Sequence, residues 1–234
     1  MENNIPVIFE KIDSDNWYHL VKLPHEMIDY LWKQIDIAKQ ENKSIKKELV
    51  GNIHKSLYLK DPKNLIINTI FTTLFNTQYK CYFTNIIKKH FRRTNVQHTG
   101  LYTKPVLDKL WVNFQRKYEF NPLHDHSGLF SFVIWMKIPY DLDDERNLDF
   151  VKNANTQSSV GNFTFVSNLM ESFTVEMDKE VEGSCVFFPS YLHHMVYPFY
   201  TSDEERITIS GNIFYEQIKD TVSNYPKINS IYQI

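Results

Sequence analysis

From Pro24 to about Gln40 apolar side chains return every three to four residues, at Met27, Ile28, Leu31, Ile35 and Ile37 or Ala38. That is the spacing of one helix face, and Pro24 suits its first turn, where a fixed φ and a missing N–H cost nothing. The same period at Leu65, Ile66, Ile70, Leu74 and Phe75 predicts a second helix over residues 62–91. Asp61 is placed as its N-cap, and Lys88, Lys89, His90, Arg92 and Arg93 crowd its C-terminal end, a solvated basic face or a binding patch. Beyond Gly100 the period falls to two. Segments 110–118, 129–138, 163–167, 172–177, 184–188, 194–197 and 206–215 are short, rich in β-branched and aromatic residues, and separated by turn residues or charges. With no helical period between them, they predict antiparallel β structure in a sandwich, jelly roll or barrel. The expected plan is a helical support region over residues 1–100 and a β-core over residues 101–234, forming one integrated, mainly β domain with N-terminal helices. The acidic stretch 141–149 reads as a solvated loop between two strands, or as a mobile lid over a site.

Composition narrows the class. The chain has 234 residues, 42% hydrophobic and 23% charged, with a formal net charge of -2, which describes a globular protein without an overall nucleic-acid footprint. The longest apolar runs, such as 132–136, fall far short of the ~20 residues of a membrane helix, and the first ten residues lack the basic and apolar regions of a signal peptide. A cytoplasmic location is expected, in a host cell if the chain is phage-encoded. The two cysteines, Cys81 and Cys185, provide neither a disulfide framework nor a thiolate zinc site, so a metal would sit on histidines and carboxylates.

Four of the nine histidines fall in two β-associated segments, His124 and His126 in NPLHDHSG, His193 and His194 in FPSYLHHMVYP. Residues i and i+2 of an extended strand point to one face, so His124 and His126 can aim at one point while Asp125 faces away. Parity allows only one of His193 and His194 to point inward. A lone strand histidine is usually structural, but two converging segments favour a metal site. Arg206 lies in a strand that otherwise reads as buried, so its guanidinium needs an anion, either a ligand carboxylate or an acid such as Glu204 or Glu205. Thr208 shares its face and can donate to the same carboxylate.

The ordered set HxH, a distal His, and Arg-x-Thr twelve residues after His194 resembles the iron(II)- and 2-oxoglutarate-dependent dioxygenase superfamily. The likeness is to its prolyl-hydroxylase-like branch, and closest to marine-bacteriophage-encoded 2OG-Fe(II) oxygenases. It covers residues 110–214 and implies a double-stranded β-helix, or jelly-roll, core. The family's first metal motif is His-x-Asp or His-x-Glu; His124 matches its histidine, and His126 stands where the carboxylate would be. Two sites stay open, one of three histidines and one in which Asp125 replaces His126. The distal His-x-Val-x-Pro motif selects His194, with Val196 and Pro198. Arg206 and Thr208 match the pair that grips the distal carboxylate of 2-oxoglutarate. Trp135 stands where relatives often carry a cosubstrate-contacting Tyr, and Asn113 and Gln115 share an upstream strand face that can reach the same ligand. The resemblance therefore implies Fe(II) on His124, His126 and His194, with 2-oxoglutarate as cosubstrate near Arg206, Thr208, Trp135 and Asn113. The reaction would use dioxygen to hydroxylate an unactivated C–H bond, releasing succinate and carbon dioxide.

Two other readings explain part of the pattern. A cupin-like three-histidine dioxygenase without 2-oxoglutarate accounts for the histidines but leaves Arg206 without a partner, and a non-catalytic β-barrel binding protein requires neither. The expected substrate is a protein side chain, proline foremost, with Trp111, Phe114, Trp135 and Phe199 as aromatic candidates to pack the ring. Nucleic acid is the alternative, through the basic cluster 88–93.

Overall fold

The computed structural model describes residues 7–13, 16–75, 82, 85–87, 89, 102–152 and 159–218. Eleven strands in these residues form two antiparallel sheets. The larger contains β1 (Val7–Lys11), β2 (Trp17–Lys22), β3 (Lys55–Tyr58), β4 (Tyr102–Gln115), β6 (Phe130–Lys137), β9 (Ser184–Pro189) and β11 (Arg206–Ile218), in the order β1-β2-β9-β6-β11-β4-β3. The smaller contains β5 (Asn121–His124), β7 (Phe163–Val166), β8 (Ser172–Val175) and β10 (His193–Val196), in the order β5-β10-β7-β8. Helix α1 runs His25–Glu41 and α2 runs Leu65–Phe75.

The larger sheet is covered on both faces, and the alternation of its strands shows by what. Phe130, Phe132 and Ile134 of β6, Ile207, Ile209 and Ile213 of β11, and Leu110, Val112 and Phe114 of β4 pack in one cluster with Met27, Leu31 and Ile35 of α1 and Ile66 and Ile70 of α2. Val133 and Trp135 of β6 and Val186 and Phe188 of β9 pack in a second cluster with Phe163 and Phe165 of β7 and Val175 of β8. The layers are therefore helices, large sheet, small sheet. A strand buried on both faces reads as a continuous apolar run, which is why FSFVIWM of β6 and CVFF of β9 lack a polar alternation.

The two helices lie near their expected places. Pro24 is the N-cap of α1, and the Asp61 carboxylate accepts from the backbone N–H groups of Leu65 and Ile66 at the start of α2. Of the basic cluster 88–93, only Lys89 is among the described residues, where it is helical and exposed. The region 1–100 is not helical throughout, however, because β1, β2 and β3 lie in it. Trp17, His19 and Val21 of β2 face one way and Tyr18 and Leu20 the other, each toward a different core. β3 is only KSLY, which becomes a strand through its register with β4, Lys55 opposite Phe114 and Ser56 opposite Asn113. β5 covers the first part of the expected β-associated segment NPLHDHSG, ending at His124, and pairs with β10.

The acidic stretch departs from a plain solvated loop. Residues Leu142–Arg146 form helix α3, capped by the Asp141 side chain. Within it Glu145 is fully buried and accepts hydrogen bonds from the backbone N–H groups of Tyr200 and Thr201 and from the Thr201 hydroxyl. That carboxylate ties α3 to the chain just before β11.

Gly211 marks the tightest approach in the sheet. A Cβ there would come 2.6 Å from Phe132 Cζ and 3.0 Å from the Lys109 carbonyl oxygen. Gly211→Ala should destabilise the fold by about 1–3 kcal/mol through overpacking, read as a lower urea midpoint with an unchanged slope. An unchanged midpoint would mean that β6 and β11 have slack to absorb a methyl group.

Candidate active site

β11 and β4 each turn a polar stripe away from the helices. Arg206, Thr208, Ser210 and Asn212 alternate with the isoleucines and Gly211 of β11, and Trp111, Asn113 and Gln115 alternate with the apolar residues of β4. Thr208 lies opposite Asn113 and Ser210 opposite Trp111. Together with His124, Asp125 and His126, His194 of β10, Trp135 of β6 and a segment from Glu48 to Ser56, these stripes line a cleft that Arg206 itself does not reach.

β5 and β10 pair so that His124 lies directly opposite His194. His126 lies two residues past the end of β5, where its N–H donates to the Ser190 carbonyl (2.8 Å). The ligand atoms of the three rings all lie within 4.8 Å of one another, and Asp125 is outside this group. His194 is buried while His193 is exposed, as strand parity requires of neighbours.

The tautomers follow from the partners. His124 Nδ1 is 2.7 Å from the Pro122 carbonyl oxygen, His194 Nδ1 is 3.0 Å from that of Leu192, and His126 Nδ1 is 2.7 Å from Asn212 Oδ1. Carbonyl oxygens only accept, so each Nδ1 carries the proton and each Nε2 presents a lone pair. The Nε2 atoms of His124 and His126 face each other at 3.2 Å. Two lone pairs at that distance repel unless a cation lies between them, and a proton is disfavoured there. Burial lowers the pKa of all three rings; neighbouring imidazoles add to this for His126, which falls to about 4, and for His194, which lies well below the usual value. Neutral imidazoles with oriented Nδ1–H groups are the form that ligates a metal. Trp111 stacks on His126 at 5.9 Å, and Phe163 on His194 at 5.2 Å.

Arg206 has no carboxylate partner among the described residues, neither Glu204 nor Glu205. Its Nε and Nη2 donate to Gln115 Oε1, Nη1 to the Tyr140 hydroxyl and the Gly161 carbonyl, and Nη2 also to the Tyr197 carbonyl. The guanidinium also packs over the rings of Tyr140 and Phe199. A buried cation with only neutral acceptors is an electrostatic demand left open, and an anion that reaches it must displace one of them.

On the cleft wall, the Ser56 hydroxyl donates to Asn113 Oδ1 (2.7 Å) and Asn113 Nδ2 to Thr208 Oγ1 (3.5 Å). Trp135 is fully buried in this wall, and its indole N–H finds no acceptor among the described residues. Of the expected aromatics, Trp111 and Trp135 face the cleft. Phe114 faces the helices, and Phe199 lies against Tyr140 and Arg206.

Sequence reasoning missed Asn212, Tyr140 and the wall from Glu48 to Ser56. Asn212 was legible as the next polar position after Arg206, Thr208 and Ser210. The wall carries no signal of its own, because it is held by Asn52 N–H donating to the Phe120 carbonyl and by Gly51, where a Cβ would come 2.0 Å from Asn121 Oδ1.

Residues 109–212 match the family model described as "Putative 2OG-Fe(II) oxygenase". The segment runs from within β4 to Asn212 of β11 and supports an enzyme of the 2OG-Fe(II) oxygenase class. No curated protein matches the chain. Among solved structures, a prolyl-4-hydroxylase from Pseudomonas putida is similar at 14% identity, covering 83% of this chain and 90% of its own, with a TM-score of 0.47. An oxidoreductase of the 2OG-Fe(II) oxygenase family from Burkholderia pseudomallei is similar at 12% identity, covering 89% and 87%, with a TM-score of 0.42.

The lowered histidine pKa values fix the sign of a pH effect. Unfolded imidazoles take up protons near pH 6.5, whereas the folded ones stay neutral to lower pH, His126 to about 4, so below 6.5 the unfolded chain binds more protons. Stability of the metal-free protein should therefore be complete above that value and fall as pH drops from about 6.5 toward 4. Urea unfolding across this range tests it, and the slope should be shallower in His194→Ala. Equal slopes in the two proteins would mean that His194 is not the neutral buried ring described.

Proposed function

We propose that the protein is an Fe(II)- and 2-oxoglutarate-dependent dioxygenase that holds its metal on His124, His126 and His194. The observation that carries this reading is the meeting of His124 and His126 Nε2 lone pairs at 3.2 Å while the Nδ1–H groups are committed to carbonyl acceptors. Fe(II) would be held by His124, His126 and His194 and would supply the chemistry that joins cosubstrate and dioxygen. The cleft also fits the cosubstrate's chemistry. Among the described residues the Trp135 N–H has no acceptor and Arg206 no counter-ion; with the Thr208 hydroxyl, held by Asn113, they are donors to a carboxylate.

Each residue has a task. Three neutral rings offer lone pairs without first losing a proton. Trp111 and Phe163 hold two of the rings flat by stacking, and Phe163, Phe165 and Phe188 exclude water behind His194. Arg206, with Thr208, fixes the far end of the dicarboxylate; Gln115 and Tyr140 hold the guanidinium until it arrives. When bound, Fe(II) couples oxidative decarboxylation of 2-oxoglutarate, to succinate and carbon dioxide, with insertion of oxygen into a C–H bond.

The substrate reading is a protein side chain, with proline the leading candidate, supported by the prolyl-hydroxylase-like order of motifs and by Trp111 facing the cleft beside His126. No helix among the described residues is long and apolar enough to cross a membrane. A cytoplasmic setting, and the likeness to phage-encoded enzymes, belong to the same reading.

Succinate release with Fe(II), ascorbate and 2-oxoglutarate tests the activity. His124→Ala, His126→Ala and His194→Ala should each abolish it together with metal binding, while His193→Ala retains both; loss of metal from His193→Ala alone would overturn the ligand set. Arg206→Ala should weaken 2-oxoglutarate binding about ten- to a hundredfold, since a charge-assisted hydrogen bond contributes roughly 1.5–3 kcal/mol. Unchanged affinity would remove Arg206 from the site. For the substrate, proline peptides are assayed by mass gain of one oxygen beside methylated oligonucleotides. Turnover of the oligonucleotides alone would reject the protein-hydroxylase reading and leave the metal assignment standing.

A further inference from the structure

The three histidines are not held alike. The acceptors for His124 and His194 are backbone carbonyls two residues before each ring, fixed by the local chain. His126 depends on a side chain 86 positions away, Asn212 of β11. Its Oδ1 accepts from His126 Nδ1 at 2.7 Å and from the Ser131 hydroxyl at 3.1 Å, and both Asn212 and Ser131 are buried.

An amide at this position does something a carboxylate would not. Either oxygen fixes the Nδ1–H tautomer and leaves Nε2 free, but the amide adds no charge. All three Nδ1–H acceptors are thus neutral, and the three ligand atoms come from neutral rings. Asp125 lines the same cleft but is exposed, where solvent screens its charge. The charge of a divalent metal is therefore left for an anionic ligand to offset.

Resting on the iron reading above, we infer that Asn212 is the positioning residue that makes His126 a ligand, and that its neutrality couples metal binding to binding of the dicarboxylate cosubstrate. Metal and 2-oxoglutarate then raise each other's affinity by the same factor, as linkage requires. Asn212→Asp keeps the hydrogen bond and adds the missing charge. It should hold metal alone more tightly and gain less from 2-oxoglutarate. Asn212→Ala removes the hydrogen bond and releases the ring.

The test uses Co(II) in place of Fe(II), titrated by calorimetry into the full chain with and without saturating 2-oxoglutarate, each variant first checked for a parent-like thermal melt. Asn212→Ala should bind Co(II) about 10–100-fold more weakly than the parent. Asn212→Asp should bind it at least as tightly, with a smaller enhancement by 2-oxoglutarate. Parent-like Co(II) affinity in Asn212→Ala overturns the positioning role, and an undiminished enhancement in Asn212→Asp overturns the coupling. Should Asn212→Ala not fold, Asn212→Asp decides both points: Co(II) affinity below the parent's counts against positioning, and equal enhancement counts against coupling. Failure of the parent itself to bind Co(II) would overturn the iron reading, which separates the two.

Discussion

Ile207, Ile209 and Ile213 can be buried beneath the helices only if Arg206, Thr208, Ser210 and Asn212 face the other way. That parity, imposed by the pleat, is the constraint on which the cleft depends. The same rule on β4 turns Leu110, Val112 and Phe114 to the helices and Trp111, Asn113 and Gln115 to the cleft. Because β4 and β11 are hydrogen-bonded neighbours, their stripes meet side by side, Thr208 opposite Asn113. A slip of one residue in β11 would drive isoleucines into the cleft and a guanidinium under the helices, and a slip in β4 would send Leu110, Val112 and Phe114 into the cleft. The apolar core thus fixes the register of the polar site, and neither can change without the other.

How far a sequence reveals such a site depends on whether the signal is local. The β11 strand announces itself by strict alternation, and so do the two histidine segments, because residue spacing within one strand carries the geometry. The strands of β6 and β9 announce only that they are buried, since both their faces are apolar. β3 was not legible: four residues such as KSLY become a strand only through partners more than fifty residues away, as with Ser56 and Asn113. The acidic stretch misled for a related reason. Glu145 is one carboxylate among several in sequence, and nothing local marks it as the one whose oxygens meet the N–H groups of Tyr200 and Thr201. The partners of Arg206 were likewise invisible, since charge arithmetic called for an acid and the fold supplied Gln115, Tyr140 and two carbonyls.

Two unmet electrostatic demands therefore lie along one polar stripe. The converging Nε2 lone pairs call for a cation, and the buried guanidinium calls for an anion. Each is a cost to the empty fold, and each is relieved by a ligand of definite sign. A dicarboxylate bound to a metal answers both, which neither a metal alone nor a neutral metabolite would do. Gln115 and Tyr140 keep the guanidinium hydrogen-bonded in the meantime, so the fold is not left with unsatisfied donors while it waits.

The strand order carries one more implication. In the sequence β1-β2-β9-β6-β11-β4-β3 the outermost members at both ends come from the first sixty residues, while the metal-directed histidines come from the interior of the chain. A chain trimmed to residues 109–212 would keep those histidines but expose the outer rows of N–H and C=O groups on β9 and β4, two open templates for pairing with other molecules. The N-terminal strands cover those edges: β2 pairs along β9, and β3, only four residues long, pairs along β4 while offering little edge of its own.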